Sequence, residues 1–197
     1  MQLRRFGRDH VLVELDDAQQ ALAVYDEARR RGVRAADIVS AARTVLFEKV
    51  DDVDALVASL PSWRTSGISS TGDLVEVPTT YDGEDLEDVA RRWNMTRDEV
   101  VATHTGTELV VAFCGFAPGF PYCTGLPGRL AVPRLDSPRT RVPAGAVGLA
   151  GPFTGIYPTA SPGGWRLIGR TDARLWNAGR EQPALLPPGT RVRFRPA

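Results

Sequence analysis

From Gly115 to Gly169 the sequence interleaves glycine and proline with bulky aromatic residues, and no other stretch constrains the fold as strongly. Prolines at this density exclude long helices, because each lacks the amide a helix interior needs. Composition alone would suggest low complexity. Phe116, Phe120, Tyr122, Phe153, Tyr157 and Trp165 are threaded through the stretch, however, and charges are few. Disordered segments lack such aromatics. The expectation is a set of rigid loops on a β scaffold. Glu108–Phe113 supplies a buried strand before them, and Trp165–Thr171 and Arg191–Arg195 supply later ones. That pattern suits a β-barrel or sandwich.

The preceding residues read as a small α/β unit. His10–Leu15 alternates as a strand, and Leu3–Phe6 can precede it as another. Asp16 or Asp17 can cap a helix that runs to about Arg31, with Gly32 as its stop. Ile38–Ala41 and Thr44–Val50 read as two further strands, and Asp51–Leu60 as a short amphipathic helix ended by Pro61. The order β-β-α-β-β-α predicts a sheet with its helices on one face. Trp63–Asp73 is rich in Ser, Thr and Gly, a linker composition. Domains are therefore expected at 1–73 and 74–197. After the linker come a strand at Leu74–Tyr81 and helices at Asp85–Trp93 and Thr96–Thr103, where Thr96 and Glu99 make a capping box.

The chain has 197 residues, of which 43% are hydrophobic, enough for a buried core. No apolar run approaches the ~20 residues that span a bilayer. Charges interrupt Met1–Leu15, unlike a signal peptide, so the expected location is cytoplasmic with no membrane association. Cys114 and Cys123 are the two cysteines. With no histidine suitably spaced they make no zinc site, and packed free thiols are expected. The net charge of zero conceals an asymmetry: Met1–His104 carries 20 acidic and 13 basic residues, and Thr105–Ala197 carries 4 and 11. A basic second half suits an anionic substrate, a nucleotide or an acidic protein face. Nucleic acid is not expected, since no Lys/Arg run or binding motif is present.

A long string of motifs points to one family. Gly115-Phe116-Ala117-Pro118-Gly119-Phe120-Pro121-Tyr122 is followed by Gly125-Leu126-Pro127, then Pro133-Arg134. Pro138-Arg139-Thr140-Arg141-Val142-Pro143-Ala144-Gly145 and Val147-Gly148 come next. Thr154-Gly155-Ile156-Tyr157-Pro158, Ser161-Pro162-Gly163-Gly164-Trp165 and Ile168-Gly169-Arg170-Thr171 complete the set. In order and spacing these resemble the B-subunit family of bacterial ATP-dependent 5-oxoprolinases, also named allophanate hydrolase subunit 1 and kinase A inhibitor (KipI-like). Cys123 departs from the family, where a larger apolar residue is common. The resemblance implies an α+β fold: a small N-terminal α/β sandwich-like domain followed by a cyclophilin-like β-barrel domain. It also implies a complex with a subunit-C (KipA-like) protein and a third subunit, opening 5-oxo-L-proline to L-glutamate with ATP, which Mg can accompany. Related domains occur in urea carboxylase.

Opening an unactivated lactam needs donors at developing charge and cations around phosphoryl oxygens. Arg139 and Arg141, two apart on a strand, can grip a carboxylate or phosphate, or can simply pair with the acidic half. Arg166 and Arg170 are weaker candidates of the same kind. The loop holding Pro118 and Phe120 can line a site or an interface, although its prolines remove donors an anion would use. No phosphate-binding G-x-x-x-x-G-K-[ST] loop exists, so an ATP pocket would be unconventional or shared with the partner. Tyr157 and Trp165 can stack on a ring or serve as core. Ser161 lacks the flanking glycine of a nucleophile elbow. His104, placed like a family histidine, is the candidate acid–base residue, with helix-dipole pairing as the alternative. His10 reads as structural. The acids Asp82, Glu84, Asp85, Glu87 and Asp88 read as a solvated helix start. Two other functions stay open: a regulator that inhibits a sensor histidine kinase, and a urea- or allophanate-processing component. A prolyl isomerase does not follow from barrel likeness.

Overall fold

The computed structural model describes residues 1–63 and 72–197. Most of the expected linker therefore lies outside the described residues. The chain divides into two compact units, Met1–Thr71 and Gly72–Ala197.

In the first unit, β1 (Gln2–Phe6) and β2 (His10–Glu14) form a hairpin, followed by α1 (Ala18–Arg30). Strands β3 (Asp37–Ser40) and β4 (Thr44–Glu48) precede α2 (Val53–Ser59). The sheet is antiparallel in the order β1-β2-β4-β3. Alternation sets its inner face: Val11 and Val13 of β2 and Val45 and Phe47 of β4 are fully buried. Both helices start on side-chain caps, Asp17 accepting from the Gln20 amide and Asp52 from that of Ala55. The helices contact the sheet through β2, β3 and β4, as the element order predicts.

The second unit begins with β5 (Leu74–Thr79), α3 (Leu86–Trp93) and α4 (Arg97–Gly106). Thr96 and Glu99 close the predicted capping box on α4. Then come β6 (Leu109–Cys114), β7 (Pro121–Thr124), β8 (Arg139–Val142), β9 (Ala146–Ala150) and β10 (Phe153–Ile156). Strands β11 (Ser161–Gly163), β12 (Arg166–Arg170) and β13 (Arg191–Pro196) complete the fold. Seven strands make one sheet in the order β12-β9-β10-β7-β6-β13-β5. Its two edges meet where Thr80, just past β5, exchanges backbone hydrogen bonds of 2.8 and 2.9 Å with Arg170 of β12. The sheet is thus a nearly closed barrel, which removes the exposed edges an open sheet would present. Val111, Cys123, Val147, Ile156, Ile168 and Phe194 pack in one buried cluster, against which α3 and α4 also pack. The two-stranded β8–β11 ribbon stands outside this sheet and carries part of the motif string.

Candidate functional site

The Gly/Pro-rich loops converge beside the barrel on a cavity of about 190 Å3. Its walls are Phe116 and Phe120 from the β6–β7 loop, Arg134 and Pro138 from the segment before β8, Tyr157 after β10, and Pro162 to Trp165 around β11. Beneath it lies a compact aromatic cluster. Phe120 meets Tyr157 at 5.1 Å and Trp165 at 5.2 Å, both edge-to-face, the favoured arrangement for such rings. Tyr157 and Trp165, open between stacking and core roles in the sequence, serve both: each is almost fully buried, yet each presents an edge to the cavity.

The loop is built to expose one ring. Phe116 has φ of +69°, a left-handed conformation that costs a β-substituted residue about 1–2 kcal/mol, and it is 63% exposed. Held so, it stands over the cavity mouth, 5.5 Å from Phe120 and 6.3 Å from Tyr157. Gly119 (φ +81°) lets the chain turn back against Leu175, whose carbonyl a Cβ would meet at 2.9 Å. The amides of Gly115, Ala117 and Phe120 are spent on carbonyls within the loop, and Pro118 has none. That leaves at most the Phe116 and Gly119 amides for an anion, fewer than a nest of successive donors supplies. Pro118 is exposed and does not line the cavity.

A close approach at Gly163 shapes the opposite wall, since a Cβ there would collide with the Tyr157 hydroxyl. Arg134 supplies the cavity's charge, its guanidinium 6.0 Å from the Trp165 ring centre. Burial raises the Tyr157 hydroxyl above its ordinary range, while the Trp165 amide and Arg134 pull the other way. No carboxylate, histidine or lysine lines this cavity among the described residues. It is a cavity with aromatic walls and one cation, and the Tyr157 hydroxyl is the other titratable group on its lining.

The arginines read from sequence as anion ligands are mostly committed elsewhere. Arg139 donates to both oxygens of Asp85 at 2.8 Å and to the Trp165 carbonyl at 3.2 Å, and it also pairs with Glu84. Arg166 pairs with Asp88 and donates to the Pro133 carbonyl at 3.0 Å; Arg170 pairs with Asp82 at 2.8 Å. Four of the five acids expected at a solvated helix start, Asp82, Glu84, Asp85 and Asp88, are thus tied across the fold to β8 and β12, while Glu87 is exposed. Asp85, the residue preceding α3, does not cap that helix; its carboxylate instead accepts the Leu167 amide at 2.6 Å. The charge asymmetry is spent within the second unit: residues 72–197 carry 13 acidic and 14 basic side chains, and residues 1–71 carry 11 and 10. Neither unit is a basic surface overall. Arg141 is exposed and has no ion pair among the described residues. Ser161 places its hydroxyl in the interior with no hydrogen-bond partner, and it does not line the cavity.

His104 lies in the core, 0% exposed, on the inner side of α4. Its Nδ1 is 2.7 Å from the Tyr81 hydroxyl, its Nε2 is 3.3 Å from the Thr154 hydroxyl, and its ring packs 4.4 Å from Phe194. Burial pushes its pKa down to about 3, so the ring is neutral. In this setting it ties α4 to β10 and β13, and it is not among the residues lining the aromatic cavity. Cys114 and Cys123 are free thiols; burial raises Cys114 to about 11 and Cys123 further, which makes both inert.

Residues 1–186 match the family described as carboxyltransferase domain, subdomain C and D. The chain belongs to this family. Among curated members it is 46% identical over 138 residues to the 5-oxoprolinase B subunit of Escherichia coli, covering 68% of this chain and 63% of that protein. It is 48% identical over 124 residues to the 5-oxoprolinase B subunit of Bacillus subtilis, covering 61% and 52%. The matched region thus spans between half and two thirds of these relatives. A conserved uncharacterized protein of Pyrococcus horikoshii superposes with a TM-score of 0.61 at 31% identity, over 100% of this chain and 97% of that one. Urea carboxylase of Kluyveromyces lactis shares the fold, with a TM-score of 0.67 at 20% identity over 99% of this chain and 21% of that one. The resemblance read from the motif string therefore holds, as does the α+β reading with a barrel.

Within this carboxyltransferase-family chain the structure brings together Phe120, Tyr157 and Trp165 from the sequence candidates. It sets Arg139 and Arg166 behind the cavity in ion pairs, and keeps Pro118, Arg141, Ser161 and His104 off its lining. Sequence reasoning missed Phe116 and Arg134 as cavity residues. Both stood in the motif string, but nothing local marks a left-handed phenylalanine or an arginine that lacks a carboxylate.

Proposed function

We propose that this chain is a subunit of an ATP-dependent 5-oxoprolinase complex, opening 5-oxo-L-proline to L-glutamate with a subunit-C (KipA-like) partner and a third subunit. Membership of the family across residues 1–186, with relatives bearing the B-subunit name at 46% and 48% identity, carries this reading. The site supports a division of labour. A cavity near 190 Å3 falls below the ~300–1,000 Å3 of a drug-sized ligand pocket, so it suits a small ring and not a nucleotide. Three of the loop amides are spent internally, and no metal-holding group of three His, Cys, Asp or Glu occurs among the described residues. On this reading ATP, with any accompanying Mg, is held by a partner or at a shared surface, and this chain alone is expected to be inactive. Its own residues bind and orient: aromatic walls hold a ring and exclude water, and a fixed cation faces it.

The test is reconstitution. The chain with its subunit-C partner and third subunit is expected to form glutamate from 5-oxo-L-proline only with ATP, and the chain alone to form none. Absence of ATP-dependent glutamate from every combination would refute the reading. The family description favours one second reading, a carboxyl-transfer role on urea- or allophanate-type amides. Labelled bicarbonate retained in product, with no glutamate formed, would select it.

A further inference from the structure

We propose that Arg134 is the specificity-determining residue of the aromatic cavity, anchoring the carboxylate of a small cyclic amide whose ring lies against Tyr157 and Trp165. This rests on the proposed lactam-opening function for the ligand's identity, but the geometry stands without it.

Three other arginines around this part of the fold are neutralised, while Arg141 of β8 is exposed and off the cavity lining. Arg139, Arg166 and Arg170 each hold an aspartate, and Arg139 also holds Glu84. Arg134, the one arginine on the lining of this cavity, has neither ion pair nor hydrogen bond among the described residues, and its guanidinium carbon lies 6.0 Å from the Trp165 ring centre. Its charge reaches inward, drawing down the Tyr122 and Tyr157 hydroxyls against the effect of burial. A guanidinium at the mouth of an apolar pocket, at cation–π distance from an indole and lacking a counter-ion, suits a planar carboxylate, which it binds through paired N–H donors. Size narrows the class further. At about 190 Å3 the cavity is below the size of a drug-sized ligand pocket, which suits a five-membered ring bearing one carboxylate better than a nucleoside triphosphate. Phe116, strained and exposed over the mouth, is placed to cover such a ring.

Arg134 is exposed and holds up no other group, so Arg134→Gln should fold normally, which near-ultraviolet circular dichroism checks. The experiment follows the Trp165 indole resonance of the full chain, and of the reconstituted complex, during titration with 5-oxo-L-proline or pyrrolidin-2-one, the same lactam without its carboxylate. The wild type should shift with the acid and not with the neutral lactam. Arg134→Gln should bind the acid about 10- to 100-fold more weakly, the worth of one charge-assisted pair. Arg134→Lys, which keeps the charge and loses the paired donors, should bind the acid with an affinity between those of wild type and Arg134→Gln. In the active complex, Arg134→Gln should raise KM by a similar factor and leave kcat within about two-fold, as for a uniform binding contact. Equal affinity for acid and neutral lactam, an unchanged KM in Arg134→Gln, or no indole shift in chain or complex overturns the proposal. The two readings fail separately. Carboxylate-dependent binding with no glutamate formed sinks the function and leaves the anchor. Glutamate formation with Arg134→Gln at unchanged KM does the reverse.

Discussion

Replacing Asp85 tests whether the acidic run before α3 is structural mortar or a solvated helix start. Asp85 is 8% exposed; its carboxylate accepts Arg139 on both oxygens at 2.8 Å and the Leu167 amide at 2.6 Å. Removing one partner of a buried pair costs about 3–5 kcal/mol. Arg139 is one-fifth exposed and keeps Glu84 and the Trp165 carbonyl, which places Asp85→Ala near the low end, about 3 kcal/mol. Asp85→Asn can still accept the Leu167 amide and loses only the charge, so about half that loss is expected. Urea unfolding gives the free energies, and hydrogen exchange of the Leu167 amide localises the effect, since that donor is unprotected in Asp85→Ala but not in Asp85→Asn. A cycle with Arg139→Met should return a coupling of about 1–3 kcal/mol. If Asp85→Ala costs less than about 0.5 kcal/mol, or Ala and Asn behave alike, the carboxylate is solvated and the cross-fold role is wrong.

One group in each unit, His104 and Asp26, should respond oppositely to acid. His104 is held neutral at a pKa of about 3 against an ordinary 6.5, so the unfolded chain binds the extra proton. Its contribution is complete above 6.5 and is lost as pH falls towards 3, on the order of a few kcal/mol, and His104→Gln should flatten that slope in urea melts of the barrel unit. Asp26 on α1 is raised from 3.8 to about 6 by burial, with Arg29 opposing. Here the folded state binds the extra proton, so stability of the first unit falls as pH rises through that window, and Asp26→Asn should raise its unfolding midpoint near neutrality and not below 3.8. Gly163→Ala puts a methyl into the Tyr157 hydroxyl and should cost about 1–3 kcal/mol while abolishing the indole shift expected with 5-oxo-L-proline; an unchanged melting temperature would show that Tyr157 yields freely.

Much of the fold was legible because its signals are local. Alternation in His10–Glu14 and Thr44–Glu48, the Asp17 and Asp52 caps and the Thr96–Glu99 box depend on residues a few positions apart. The aromatics threaded through Gly115–Gly169 were legible as an ordered surface for a similar reason: the residue types exclude disorder and long helices at once. The motif string likewise placed Phe120, Tyr157 and Trp165 in one candidate set before any geometry was known. It could not say that Phe116 takes a left-handed turn over their cluster, because that turn is held by loop closure between Gly115 and Phe120.

Tertiary structure decided the charges. Asp85 meets Arg139 across 54 residues, Asp88 meets Arg166 across 78 and Asp82 meets Arg170 across 88. No periodicity encodes such distances, and opposite ends of a chain carrying opposite charge look the same whether they attract a partner or each other. Barrel closure at Thr80 and Arg170 brings the acidic segment onto β8 and β12, neutralises those arginines and leaves Arg134 with the cavity. His104 followed the same logic: its residue type suits acid–base chemistry, and only the packing of α4 against β10 and β13 shows a neutral ring in the core. The sequence by itself determined the elements, the family and the aromatic identity of the site. Which charges remain available depended on contacts between strands and helices far apart in sequence, because burial and ion pairing are properties of neighbours in space.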